Sequence, residues 1–355
     1  MRRIPFLLIV MPVFLASASS AAIKNWQIEE QKIQVIPEVQ ITLPQGAIDV
    51  FLKERIKRTT IDFGIKYDFF DNYIHGRVDM RYDYERQFIG LNMQDNIDFD
   101  ELIDNYDSLQ RSRHFMTYYG WKFGKHLELS TSLKNEEAFT IRIATAVMVM
   151  DRGKNYPVIL GMHYYNMNEV SILPRGTRAN VDLTGPLGIL GGDYNYIQLE
   201  GSLVQYVYPL GNNFFRTKLQ FGYPLFIENK PLTAMYKLGG YNILRGYDYK
   251  EFEGNSMIYF QTSFHIPVMT TLTKGHSSLE IVTGDLMFEF GKTGETDIFA
   301  RTDDIRGSVG IGFGCSMTLF KNVKSRFNIF ISKAFEPREP AVYFVLKTLY
   351  YTPPE

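Results

Sequence analysis

Four Arg-Gly pairs punctuate the chain: Arg152-Gly153, Arg175-Gly176, Arg245-Gly246 and Arg306-Gly307. A guanidinium followed by a residue free to take a left-handed backbone can aim a charge out of a tight turn. The dipeptide alone is weakly informative, since chance supplies some of them. Only the pair at 245 lies in a long segment, from Phe226 to Gly254, with a double glycine before it (Gly239, Gly240) and an aromatic residue after it (Tyr247). Long ordered loops in compact domains are usually functional. An arginine withdrawn from water needs a carboxylate, because an unpaired buried charge is costly. Between Leu279 and Lys292 a two-residue period sets Val282, Leu286, Phe288 and Phe290 on one face and Asp285, Met287 and Glu289 on the other. Glu289 is the expected partner of Arg245, with Asp285 second.

Other reactive groups offer less. Ser263 and His265 share a strand face, but a nucleophile and its base must meet within hydrogen-bond reach and be oriented by an acid. Residues two apart on one strand rarely meet in this way, and no Gly-x-Ser-x-Gly occurs, so no enzyme is expected. The six histidines (75, 114, 126, 163, 265 and 276) form no ligand-spaced cluster. Neither metal nor cofactor is expected. Residues 87 to 113 carry Asp95, Asp98, Asp100, Glu101, Asp104 and Asp107 without the glycine and terminal glutamate of a calcium loop, and read as a solvated acidic loop. The single Cys315 excludes an intramolecular disulfide. A net charge of −1 supplies no field for nucleic acid.

The elements that would position these groups are strands. Aromatic residues make up 15% of the chain, with 23 Tyr and 27 Phe, and ring side chains favour a pleated surface. Residues 1 to 22, with Arg2-Arg3, an apolar run from Ile4 to Ala16 and small residues to Ala22, read as a secretory signal peptide. No later window is long and apolar enough for a membrane helix, so a membrane span must be built of strands. From residue 61 onward, segments of alternating polarity recur between turns. The clearest sets Ile258, Phe260, Thr262, Phe264, Ile266 and Val268 on one face and Tyr259, Gln261, Ser263 and His265 on the other. Fourteen such segments are readable, giving an all-β, transmembrane antiparallel β-barrel of about 14 to 16 strands over 61–355. Residues 23–60 are expected to form a short periplasmic or plug segment, with an amphipathic helical stretch from Ile48 to Ile56.

Several motifs together carry a family resemblance: Gly239-Gly240, Leu244-Arg245-Gly246-Tyr247, the strand ending Ile266-Pro267-Val268, Phe288-Glu289-Phe290-Gly291, and Arg306 to Gly312. Residues 194 to 351 thereby resemble the C-terminal half of the BamA/TamA-type outer-membrane assembly superfamily, the bacterial surface antigen barrel. The resemblance implies sixteen strands, five of them after the loop, and a loop folded into the lumen with Arg245 against Glu289. Glu289 stands where the family has Asp, and Ser263 where it often has an acidic residue. The chain ends Tyr350-Tyr351-Thr352-Pro353-Pro354-Glu355, without the family's final aromatic. The segment before residue 61 is too short for a polypeptide-transport-associated domain. The resemblance therefore implies a barrel-only member in the bacterial outer membrane, contacting its lipids, client proteins and a separate periplasmic accessory protein. Its function would be insertion or translocation of proteins. The alternative is a passive pore, its lumen solvated by Gln198, Glu200 and Gln261.

Overall fold

The computed structural model describes residues 33–350 apart from 44–46, 57, 69–72, 103–105, 145–146, 169–173, 187–190, 241–242, 249, 275–276, 296–303 and 320–322; in parts of several strands it describes the backbone alone. The signal peptide expected over 1–22 lies outside the described residues.

One antiparallel sheet of seventeen strands forms the wall. In chain order these are β1 (Ile33–Leu43), β2 (Ala47–Ile56), β3 (Thr59–Asp68), β4 (Tyr73–Tyr84), β5 (Gln87–Leu102), β6 (Tyr106–Phe123), β7 (Leu127–Ala144), β8 (Val147–Asn155), β9 (Pro157–Asn168), β10 (Arg175–Pro186), β11 (Asn195–Leu210) and β12 (Asn213–Asn229). After a small ribbon, β13 (Tyr236–Leu238) with β14 (Phe252–Gly254), the wall resumes as β15 (Ser256–Lys274), β16 (Ser277–Gly294), β17 (Arg306–Leu319), β18 (Val323–Ala334) and β19 (Ala341–Tyr350). The upper half of β7 pairs with β8 and its lower half with β9, so β8 and β9 are two parts of one stave broken at Tyr156-Pro157. The seventeen strands thus make sixteen staves. Five follow the ribbon, as expected.

Two expectations are corrected. Ile48 to Ile56 is not helical but belongs to β2, paired with β1 and β3, so the sheet begins inside the 23–60 segment. Residues 87 to 113 are not a loop; nearly all lie in β5 and β6, which pair from Gln87 with Trp121 to Leu102 with Tyr106. The fourteen segments read from the sequence divide β7 in two and omit β1, β2 and β5.

Alternation decides which side chains face out. On β15, Tyr259, Gln261, Ser263 and His265 are buried while Phe260, Ile266 and Val268 are exposed. Leu286, Phe288, Phe290, Ile311, Phe313, Ile331, Val342 and Phe344 continue the outer belt, each between 39% and 60% exposed. So broad an apolar surface is stable only against lipid. Short connections at 57–58, 85–86, 124–126 and 211–212 mark one end of the wall, and the long ones, 230–255 and 295–305, mark the other. Barrels of this type keep short turns in the periplasm, so the Arg245 loop rises from the extracellular end.

Among the described residues, the ladder between β1 and β19 is the shortest between staves. Six register positions pair there, Glu38 with Leu349 through Leu43 with Phe344, whereas β1–β2 and β18–β19 each pair ten. Pro37, just beyond the last seam pair, has no N–H to extend it.

Candidate functional site

The Arg245 loop leaves β12 through a turn of 3-10 helix (Leu232–Ala234) that lies against β6 and β7, then folds inward on the β13–β14 ribbon. It brings its own apolar core: Leu238, Leu244 and Tyr247 pack with Met257, Tyr259 and Ala334 of the wall. Leu238 and Leu244 are fully buried. Hydrophobic burial therefore docks the loop before any charge is considered.

The backbone at the tip is tightly specified. Gly239, Gly240 and Gly246 have φ of +119°, +98° and +89°. A Cβ on Gly239 would sit 2.1 Å from the Asp248 carbonyl oxygen, and one on Gly246 would sit 2.8 Å from the Ala334 nitrogen. Both positions require glycine for conformation and for space. Leu244 also takes a positive φ, +63°, a cost that persists only where the surroundings over-determine it. Its complete burial supplies that.

Arg245, 7% exposed, faces the fully buried Glu289. Its Nη1 donates to Oε1 at 3.1 Å and its backbone N–H to Oε2 at 2.7 Å. Nη1 also contacts the Met287 sulfur, and the guanidinium lies 4.9 Å from the centre of the Phe330 ring. Tyr259 O–H at 2.5 Å and Gln261 Nε2 at 3.2 Å donate to Oε1, and Ser308 Oγ donates to Oε2 at 3.3 Å. Glu289 is therefore satisfied by one cation and four neutral donations, as a buried carboxylate requires. Next along the tip, Gly246 donates its amide to the Tyr343 hydroxyl on β19 at 3.0 Å, and the Tyr247 hydroxyl donates to the Gly307 carbonyl at 3.1 Å. Arg338, in the β18–β19 connection, clamps the rim of the loop through Glu251.

Nearer the wall, Tyr236 donates to Glu200 Oε1 at 2.8 Å, and Lys230 Nζ lies 4.6 Å from the Tyr236 ring centre. Burial drives the Tyr236 phenol well above its ordinary value, with Glu200 adding to the rise. Burial lowers the Lys230 ammonium to about 8, against an upward pull from Glu200. Gln198, Glu200 and Gln261 are engaged inside the wall: Gln198 and Gln261 are buried, Gln198 donates to Glu200, Glu200 accepts from Tyr236 of the loop, and Gln261 donates to Glu289.

Gly239, Gly240, Arg245, Gly246, Tyr247 and Glu289 thus come together. Asp285 does not join them; its Oδ1 lies 2.5 Å from His265 Nδ1. The expectation that Ser263 and His265 would not meet is also corrected, because Ser263 Oγ is 3.1 Å from His265 Nε2. Direct cross-strand pairing of His265 with Asp285 and the reach of the imidazole complete a Ser-His-Asp chain. The backbone around Ser263 is committed to ladders on both sides, with Arg216 and with Met287, so strand amides there are not available as oxyanion donors. Sequence reading did not identify Tyr259, Gln261 and Ser308 as donors to Glu289, or Tyr343 as the acceptor of the loop-tip amide. Tyr259 and Gln261 carried the available signal, since they share the inward face with Ser263.

Comparisons with known proteins agree with this architecture. The profile of the Omp85 superfamily domain matches residues 51–320. BamA from Haemophilus ducreyi lacking POTRA domains 1–3 is similar in structure, with a TM-score of 0.70 at 12% identity over 91% of this chain and 71% of that one. CdiB from Acinetobacter baumannii gives 0.59 at 10% identity over 90% and 60%, and CdiB from Escherichia coli 0.59 at 10% over 91% and 68%. No curated protein matches the chain by sequence. The likeness to solved structures establishes the barrel fold, and the domain match covers most of the chain: the protein is an outer-membrane β-barrel that belongs to the Omp85 superfamily.

Proposed function

We propose that this barrel aids insertion or translocation of client proteins at the outer membrane, using the β1–β19 seam as the place where a client strand engages. The observation that carries the reading is the seam itself, six pairs among the described residues between flanking ladders of ten. A short ladder leaves backbone donors and acceptors on both edge strands, and an extended client segment can satisfy them by strand addition. The Arg245 loop bears on the same strand: its tip holds Tyr343, one residue before the seam ladder starts at Phe344. The loop thereby steadies β19 from inside while its outer edge exchanges partners. Client delivery is assigned to a separate periplasmic accessory protein.

A passive pore is the competing reading. It fits less well because the residues that would solvate a channel are engaged: Gln198 donates to Glu200, Glu200 accepts from Tyr236 of the loop, and Gln261 donates to Glu289. No catalytic role is assigned to the Ser263 chain. Depletion of the protein followed by quantification of the outer-membrane and secreted proteomes tests the proposal. Loss of a defined set of barrels or exported proteins supports it. An unchanged proteome with a stable open conductance in planar bilayers would establish the pore instead.

A further inference from the structure

The outer face of the wall carries a feature the client-handling reading does not use. Along β6 the outward side chains run Arg111, Arg113, Phe115, Thr117, Tyr119, Trp121 and Phe123, from the extracellular end downward. Register places two rows across four strands: Asp95, Arg113, Glu137 and Lys154 in one, and Arg111, Phe139 and Arg152 in the next. Arg111 takes both oxygens of Asp95, at 3.0 and 2.8 Å, and Arg113 Nε reaches the same carboxylate at 3.2 Å. Arg152 meets Glu137 at 2.8 Å. Arg111, Arg113, Glu137, Phe139 and Arg152 line a shallow pocket. Among these side chains four are cations and two are carboxylates. The Arg113 and Arg152 side chains remain 52% and 69% exposed.

Height decides what this patch faces. Trp121 and Tyr119 stack edge-on at 4.6 Å on the periplasmic side of the same strip, where aromatic girdles mark the interface. Arg111 stands ten residues up the strand from Trp121. At roughly 3.3 Å per residue and a tilt of roughly 40°, that is a rise of about 25 Å, the height of the apolar band of such barrels. The cations therefore lie at the opposite interface, level with the headgroups of the outer leaflet, where a lipid-facing arginine is tolerated. Planar guanidinium groups converging there suit a phosphate.

We propose that Arg111, Arg113, Arg152 and Lys154 form a binding site for the phosphate groups of a phosphorylated outer-leaflet lipid, which fixes the barrel's depth and orientation beside β5–β8. The site does not depend on the seam mechanism. The test uses the purified full chain in dodecyl maltoside micelles, titrated separately with bisphosphorylated lipid A, its dephosphorylated form and inorganic phosphate, and read by native mass spectrometry. R152Q/K154Q spares the Asp95 pairs, and R111Q/R113Q removes them; heat-modifiability reports whether each variant remains folded. Losing two cations is expected to weaken lipid A binding by about tenfold or more in the folded R152Q/K154Q protein, with the dephosphorylated lipid binding poorly to the wild type. Equal binding of lipid A to wild type and R152Q/K154Q, equal binding of the two lipid forms, or displacement of lipid A by equimolar inorganic phosphate would each overturn the proposal.

Discussion

The Arg245 guanidinium and the Glu289 carboxylate meet at 3.1 Å inside the barrel, and the Arg245 amide takes the second carboxylate oxygen at 2.7 Å. One side chain thus reads both the charge and the backbone position of the loop tip. Deleting one member of a buried pair leaves the other uncompensated, at a cost of about 3–5 kcal/mol, whereas deleting both costs less than the sum. Glu289→Ala is expected to destabilise the barrel more than Arg245→Ala, since it also abandons the Tyr259, Gln261 and Ser308 donors. The double variant should recover part of the loss, measured as the midpoint of heat-modified migration or of urea unfolding in micelles. Strict additivity would mean that the pair is not coupled.

Gly246 tests the backbone requirement. Gly246→Ala forces a side chain into a φ of +89° and against the Ala334 nitrogen, and should undock the tip at a cost of about 2 kcal/mol or more. Gly211→Ala is the control: its φ is +57° but a Cβ there meets open space, so about 1 kcal/mol is expected. Limited proteolysis of the 239–251 region separates the two, with new cleavage only in Gly246→Ala. Equal protease resistance would show that the tip is not held as described.

Tyr343→Phe removes the hydroxyl that accepts the Gly246 N–H and keeps the ring. A buried amide left without an acceptor costs about 1–3 kcal/mol. Hydrogen exchange should speed up at the loop tip and at β19, while β10–β12 keep their protection. Acceleration of the whole barrel, or of neither region, would argue against a local tie between loop and last strand.

The loop's docking should strengthen as pH rises from about 8 towards 10. Lys230 has a folded value lowered to about 8 by burial, so above that pH the undocked state holds more protons than the docked one, and stability rises with pH. Tyr236, whose folded value is raised, reverses the slope above the ordinary tyrosine range, because only the undocked phenol then loses its proton. Protease protection of the loop measured from pH 7 to 11 should peak near 10, and Lys230→Met should flatten the rising limb. A flat profile in the wild type would contradict this.

Much of the site was legible in the sequence because strand parity is a strict rule. Alternation alone places Glu289 beside Met287 and Asp285 on the inward face, and the two-residue period of β15 holds from Ile258 to Val268. The misreadings over β5, β6 and β7 share a physical cause. A bilayer asks for about 9–11 residues per strand, whereas β5, β6 and β7 have 16, 18 and 18, and their upper parts, freed from lipid, carry runs such as Asp98 to Glu101 that look like loops. In β7 the polar Asn135-Glu136-Glu137 mimics a turn and divides the strand. On β2, Asp49, Lys53, Glu54 and Arg55 hide the alternation in the same way. The Ser263–His265 contact was missed because spacing along a strand ignores the length of an imidazole and the carboxylate opposite it.

The seam carries the functional claim, and locking it is the direct test. Thr42 and Val345 are register partners across β1 and β19. A Thr42→Cys/Val345→Cys pair, in a Cys315→Ser background, would staple the shortest ladder in the wall. The expected result is that the oxidised, folded barrel no longer supports appearance of its clients in the outer membrane or medium, and that reductant restores them. Full client handling with the seam quantitatively crosslinked would contradict the claim.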